Sequence, residues 1–337
     1  MKRIPSLDGL RAISILLVVV GHMAKSGHGP RIFWDHYAEV GVRIFFVISG
    51  YLITNLLLHE HQRTSTIKLR EFYVRRAYRI FPAAFVFMLV AFTAYWHQLR
   101  WYDMAAALLY LANHDYLRPW ILGHLWSLSI EEQFYVVWPS VLKYWYRHRV
   151  TILIAAFAVA PVARTVLYAL KVHRGGDMLL TDGDNLAIGC LLAIVAARIP
   201  KTSPYLAVAM ASVIVFVPLF EATTAKRTLL LLFVLQPTLM VSIAGVVLHV
   251  VQVPYRFLNW SAIAWLGRIS YSLYLWQQPF CSDPNLKSGW LSLLALGCAC
   301  LSYYVVEQPM LRIRDRRKEP KDTELTPQVL ERSASAA

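Results

Sequence analysis

Residues 4–23 read IPSLDGLRAISILLVVVGHM, an apolar run of membrane-crossing length that nevertheless carries Asp8, Arg11 and His22. About 20 apolar residues in helical form match the thickness of a bilayer core. Ionisable groups inside such a helix are expensive and usually line a functional path. Arg11 and His22 are eleven residues apart, close to three helical turns, so both project from one face, roughly 16 Å apart along the axis. Asp8 stands three residues before Arg11 on nearly the same face and can pair with it. The plainer alternative has Arg11 reaching the inner headgroups and His22 anchoring at the outer interface. An unperturbed histidine titrates near neutral pH, which suits a general base.

The rest of the chain agrees with a membrane reading. Of its 337 residues, 57% are hydrophobic and 16% charged, and apolar runs recur from end to end. That composition excludes an ordinary soluble domain. The formal net charge of +14 sits in short loops between the runs, so it does not form a nucleic-acid surface. Anionic lipid or an anionic co-substrate fits it better. Cys190, Cys281, Cys298 and Cys300 fall in or beside apolar segments and read as small core residues, and no metal-ligand spacing occurs. The first run lacks a clean small-residue cleavage site and is expected to be retained.

The expected fold is all-α, a polytopic transmembrane bundle of about ten spans near residues 7–24, 38–58, 80–97, 128–143, 151–170, 184–198, 204–221, 228–251, 262–282 and 289–307. MAAALLYLAN (104–113) is too short to cross and reads as interfacial or re-entrant. Ten spans put both termini in the cytoplasm. The basic stretches RTSTIKLREFYVRRAYR (63–79), KYWYRHR (143–149), RIPK (198–201) and RIRDRRKEPK (312–321) then all face inward. Residues 1–310 form the membrane domain, and the polar residues 311–337 are expected to be a disordered cytoplasmic tail.

Two further clusters carry chemistry. In EFYVRRAYRIFP (71–82), Arg75, Arg76 and Arg79 stand at helical spacing just before the third span. Their guanidinium groups can converge on phosphates, or they anchor the chain at the inner surface. In GHLWSLSIEEQFYVVWP (123–139), Ser129 and Glu132 fit a capping box, with Ser129 as the cap. Glu131 is left to favour the helix start through the dipole or to orient His22 from the same outer side. Glu132 is the reserve partner. His124 either contacts an acceptor or sits at the interface. Asp184, at a span end, can face a cavity, and Glu307 reads as a capping or paired residue. Ser49 in FFVISGYL is a conceivable nucleophile, although Ser-Gly in a span more often permits close packing.

Taken together, the chain resembles the acyltransferase 3 family of integral membrane O-acyltransferases. The resemblance rests on IPSLDGLRAISILLVVVGHM (4–23), GVRIFFVISGYLIT (41–54), FYVRRAYRIFPA (72–83), HLWSLSIEEQFYVVWP (124–139), DNLAIGCLLA (184–193), LGRISYSLYLWQQP (266–279) and YYVVEQP (303–309), in the family's order over about residues 1–310. The family's Arg, ten residues, His pattern falls on Arg11 and His22. Its Arg-x-x-Arg falls on Arg76 and Arg79, and its acidic position on Glu131. The chain departs from the family at Gln277, where many relatives carry histidine. Some relatives append a hydrolase-like domain; here a bare membrane domain is expected.

The resemblance implies transfer of an acyl group, acetyl by default, from acyl-CoA to a hydroxyl of a sugar in a cell-surface glycan. No tightly bound cofactor is implied. His22 is the expected general base, oriented by Glu131, with Arg11 as a third catalytic candidate. Arg75, Arg76 and Arg79 would bind the donor phosphates. His124, Trp126 and Asp184 are the candidate acceptor contacts. The partners are the lipid bilayer, acyl-CoA and the glycan, in a bacterial inner membrane. The rival reading is a transporter or exporter of glycan or lipid-linked substrate, in which His22, Glu131 and Arg11 relay protons.

Overall fold

A computed structural model of the chain describes residues 4–27, 35–172, 177–223, 231–281 and 291–316. Among these residues there is no strand, and the architecture is a bundle of antiparallel helices. The first helix, α1 (Pro5–Lys25), begins with proline in its first turn and Asp8 close behind, both favourable at a helix start. Next comes α2 (Asp35–Thr64), whose 30 residues span about 45 Å. That exceeds the bilayer core, so its last turns extend beyond the apolar layer with His59, Glu60 and Arg63. The third helix, α3 (Leu69–Tyr95), starts eleven residues earlier than the expected span at 80. Arg75, Arg76 and Arg79 therefore lie on the helix itself, with Phe72 and Ile80 buried on either side of them.

The segment expected to be interfacial does not cross. It forms a single short helix, α4 (Trp101–Leu108), followed by isolated turns at Ala112–His114 and Trp120–Leu122. Then follow α5 (Leu125–Tyr144), α6 (Arg149–Ala169), α7 (Leu179–Val195), α8 (Pro204–Thr223) and α9 (Gln236–Gln252). The next expected span is broken into α10 (Ser261–Arg268), α11 (Ser270–Trp276) and α12 (Gln278–Cys281). The last consists of α13 (Ser292–Leu301), a π-turn at Ser302–Glu307 and α14 (Gln308–Arg316).

Seven helices among the described residues are long and apolar enough to cross a membrane: α1, α2, α3, the segments Tyr146–Ala169, Leu179–Arg198 and Leu231–Gln252, and Ser292–Arg316. The other three expected spans are helical too, and each departs for a visible reason. The acidic pair Glu131 and Glu132 interrupts the apolar run of α5. In α8, residues Pro204–Phe220 form an apolar helix among the described residues. The third is the broken helix. Residues 311–316 continue α14, and 317–337 lie outside the described residues.

Helices α2 and α7 cross closely. A Cβ at Gly50 would stand 2.2 Å from the Leu186 carbonyl oxygen, and one at Gly189 would stand 2.2 Å from that of Val47. Lipid gives helices no hydrophobic reason to associate, so small residues that let backbones touch supply the packing. Val47, Ile48, Leu192, Ile243 and Val247 fill the core beside this crossing. Gly189→Leu is expected to abolish the monodisperse folded protein in size-exclusion chromatography, and Gly189→Ala to lower the unfolding temperature. A well-folded G189L protein would contradict this crossing.

Candidate active site

One end of the bundle gathers the basic residues of α2, α3 and α14, and a cavity of about 680 Å³ opens there. Arg63, Lys68, Arg75 and Arg314 stand around its wide part. Farther in, it is lined by Arg76, Arg79 and Arg11 together with Ser49, Glu131, Tyr135, Tyr271 and Tyr274. The break between α10 and α11 matters here, because Ser270, Tyr271 and Tyr274 of the second piece all face this space.

The four arginines have different environments. Arg76 is fully engaged: Nε and Nη2 donate to Glu132 Oε1 at 3.0 and 2.8 Å, and Nη2 lies 3.5 Å from Glu131 Oε1. Its guanidinium carbon sits 3.4 Å from the centre of the Tyr135 ring. Arg75 donates to Glu60 and Glu71 at 3.2 and 3.4 Å. Arg11 and Arg79, by contrast, make no hydrogen bond or ion pair with any described residue, although both line the cavity. Each feels the buried Glu307, which accepts a hydrogen bond from Ser272 at 3.0 Å. The Arg-x-x-Arg motif thus splits into one structural arginine and one left open to a ligand.

Glu132 is not a capping residue. Helix α5 starts one turn earlier than expected, at Leu125, and Ser129 Oγ donates to the Leu125 carbonyl from inside the helix. The early start moves both glutamates into the second turn, against α3. Glu132→Ala would leave the Arg76 charge half-solvated beside an aromatic ring. Losing one partner of a buried pair costs about 3–5 kcal/mol. The expectation is a protein that unfolds at much lower denaturant concentration, largely restored by adding Arg76→Met. If E132A unfolds like the parent, the pair is not structural.

His22 is at the opposite end of the bundle. Its Nδ1 lies 2.7 Å from Gln277 Oε1, at the junction of α11 and α12. Gln277 is fully buried, and its Nε2 donates to Gln278 Oε1 at 3.3 Å. Glu131 does not supply the expected contact. Its Oε1 accepts from Ser49 Oγ at 2.6 Å and from Tyr135 OH at 2.5 Å. Ser49 is therefore a hydrogen-bond donor to a carboxylate, and Gly50 next to it makes the close packing.

The three acceptor candidates separate. Both ring nitrogens of His124 are buried without a partner among the described residues, and its ring meets those of Phe87 and Tyr274 edge-on at 5.2 and 5.5 Å. It lies within electrostatic reach of His22. Its carbonyl accepts from Tyr274 OH at 2.7 Å, and that hydroxyl also bonds Ser127 Oγ at 2.5 Å. Asp184 does not face a cavity. It is buried under Arg164, to which it is ion-paired, and also accepts from the Asn185 amide. Trp126 lies against Phe46 at 6.3 Å and lines a small cavity together with Arg164.

The cavity gathers arginines, carboxylates and hydroxyls behind a cation-rich opening, and His22, held by Gln277, is not among the residues that line it. The comparisons with known proteins bear on this directly. A family model described as an acyltransferase domain matches residues 4–283. The chain belongs to this acyltransferase family. It is 30% identical over 369 aligned residues to the "Peptidoglycan O-acetyltransferase OatA" of Listeria monocytogenes, covering 92% of this chain and 56% of that protein. It is 30% identical to the "Putative peptidoglycan O-acetyltransferase YrhL" of Bacillus subtilis, covering 92% and 55%. It is 31% identical to a "Putative O-acetyltransferase" of Staphylococcus aureus, covering 82% and 50%. The chain spans about half the length of these curated relatives. No solved structure matches it. As a member of the acyltransferase family it is an integral, multi-pass membrane protein.

The sequence did not single out Arg164 or Gln236, each of which carries a buried atom without a hydrogen-bond partner among the described residues. The signal for Arg164 was available. It is a lone cation in the apolar run AAFAVAPVARTVLYAL (155–170), the same anomaly that singled out Arg11. Gln236 carries no sequence signal of its own.

Proposed function

We propose that this chain moves an acyl group, acetyl by default, from acyl-CoA to a sugar hydroxyl of a cell-envelope glycan. The observation that carries this reading is the pair of unpartnered guanidiniums, Arg11 and Arg79, in a cation-rich cavity of membrane depth. Two guanidiniums share the attraction of the buried Glu307 without a hydrogen bond to it, and an anionic ligand supplies the missing charge and acceptors. The positive-inside rule assigns the basic end to the cytoplasm, where acyl-CoA is found. The donor phosphates then meet Arg79 and Arg11, with Arg63, Lys68 and Arg314 nearer the opening. Arg75 and Arg76 hold the walls through Glu60, Glu71 and Glu132.

The acyl-pantetheine arm runs inward past Glu131 and Tyr274 toward His22. Gln277 Oε1 can only accept a hydrogen bond, and the donation from Gln277 Nε2 to Gln278 fixes which way the amide faces. In the neutral ring, Nδ1 therefore carries the proton and Nε2 the lone pair. That is the tautomer a general base needs. Nε2 takes the proton of the acceptor hydroxyl as its oxygen attacks the thioester carbon. The C–O bond forms, the tetrahedral oxyanion collapses, the C–S bond breaks, and the imidazolium returns its proton to the departing CoA thiolate. The glutamine at position 277 thus supports the histidine from outside the reacting pair.

The relatives' names point to peptidoglycan as the acceptor glycan. The test is direct. The full chain is reconstituted with acetyl-labelled CoA and a glycan fragment, and products are read by mass spectrometry. The expected result is a labelled ester on the sugar with one free CoA per ester. Glycan crossing the membrane without CoA release would support the transporter reading and overturn this one.

A further inference from the structure

A second, smaller cavity of about 180 Å³ lies at the end of the bundle opposite the basic opening, enclosed by α2, α5, α6, α7 and α9. Val42 and Phe46 of α2 line both cavities and form the wall between them. The two spaces differ in chemistry. In the smaller one, Arg164 is held on Asp184, and Asp177 is held by Arg118. Acidic and basic side chains are otherwise interspersed, so the pocket has no cationic excess to draw a phosphate.

Two residues of its lining each carry a conspicuous atom. Arg164 Nη1 and Gln236 Oε1 are both buried with no hydrogen-bond partner among the described residues. The Arg164 side chain is 9% exposed. Buried polar atoms rarely go unpaired, because leaving one so is costly. One of these atoms can only donate and the other can only accept. Hydroxyls donate and accept, so a sugar ring, which carries several, can answer both. The space is several times the roughly 30 Å³ that one water occupies. Trp126 and Tyr168 add aromatic faces to its lining, suited to the C–H face of a sugar ring.

We propose that this pocket binds one neutral sugar ring of the acceptor glycan, with ring hydroxyls accepting from Arg164 Nη1 and donating to Gln236 Oε1. The proposal rests on the glycan-acylation reading and supplies its acceptor site. Donor and acceptor then approach from opposite ends of the bundle, with Phe46 and Val42 between them. Arg164 and Gln236 are binding residues. They select the acceptor and leave the donor untouched.

The test uses the full chain in lipid nanodiscs with a β-1,4-linked N-acetylglucosamine disaccharide as the probe. Two quantities are measured: disaccharide binding by saturation-transfer NMR, and acyl transfer to it from acetyl-CoA. Arg164 is part of a buried ion pair and its removal endangers the fold, so Gln236→Ala and Trp126→Ala are the variants. Tenfold or greater weakening of disaccharide binding and a matching rise in acceptor KM are expected in both. The donor KM should not change, and Trp126→Phe should retain most of the affinity. If the unaltered chain does not bind the disaccharide, or if Q236A binds it as the parent does, the site is overturned. Binding that depends on Gln236 in a chain that transfers no acyl group would leave the pocket standing and remove the acyltransferase reading. Transfer with an unchanged acceptor KM in Q236A would do the reverse.

Discussion

His22→Ala lowers acyl transfer by about two to four orders of magnitude while donor binding and folding stay at the parental level; this is the expected result for loss of a positioned general base. The folding expectation follows from the surroundings. His22 is only partly buried, and the α1 helix around it is held by Leu7, Leu10, Ile15 and Val18 in the core. Gln277 provides the discriminating companion variants. Gln277→Leu removes the acceptor of the Nδ1 proton, so the ring divides between tautomers and turnover falls, by less than in H22A. Gln277→Glu replaces the amide with a carboxylate that favours the protonated ring. Its acidic limb of the pH–rate profile is expected to move to higher pH, with KM for both substrates little changed. A purely structural role for Gln277 would change stability and leave the profile where it was. Parental activity in folded H22A protein would remove the histidine from the chemistry.

The double variant Arg11→Gln, Arg79→Gln is expected to reduce kcat/KM for the acyl-CoA donor by about two to four orders of magnitude. Hydrogen bonds to charged groups are worth roughly 1.5–3 kcal/mol each, and two are lost. Stability should fall only modestly, because the two arginines leave no hydrogen-bonded ion-pair partner behind but do leave the buried Glu307 without their attraction. Arg76→Gln should do the opposite. It breaks the contacts to Glu132, Glu131 and the Tyr135 ring, so it should cost stability first and donor affinity only as a consequence. Competition by free CoA, followed by isothermal titration on the full chain, separates the two cases. Equal donor affinity in the parent and the R11Q/R79Q protein would send the anion site elsewhere.

Much of this was legible in the sequence, and the parts that were not have physical reasons. The helical class and the interior arginine and histidine of α1 followed from the cost of burying charge among apolar residues. Helix boundaries were less legible where amphipathic turns extend a span. The arginine-rich turns of α3 read as a flanking cluster because their charges mask a buried Phe72 and Ile80. The Ser129–Glu132 spacing suits a capping box, but tertiary contact with Arg76 claims the glutamate and moves the helix start to Leu125. A composition window cannot see the α11–α12 junction, which turns Gln277 toward His22. Pairings between distant segments, such as Glu131 with Ser49, have no one-dimensional signature. The pocket around Arg164 and Gln236 exists only once five helices converge.

Under the proposed function, donor and acceptor reach this membrane protein from opposite faces. The most direct measurement uses sealed vesicles holding the chain in one orientation, with labelled acetyl-CoA confined to the side of Arg63, Lys68 and Arg314 and the glycan fragment confined to the other. The account predicts labelled ester on the glycan in that arrangement, and none when both substrates are confined to the glycan side. Ester formed with both substrates on the glycan side, or its absence when they are separated, would contradict it.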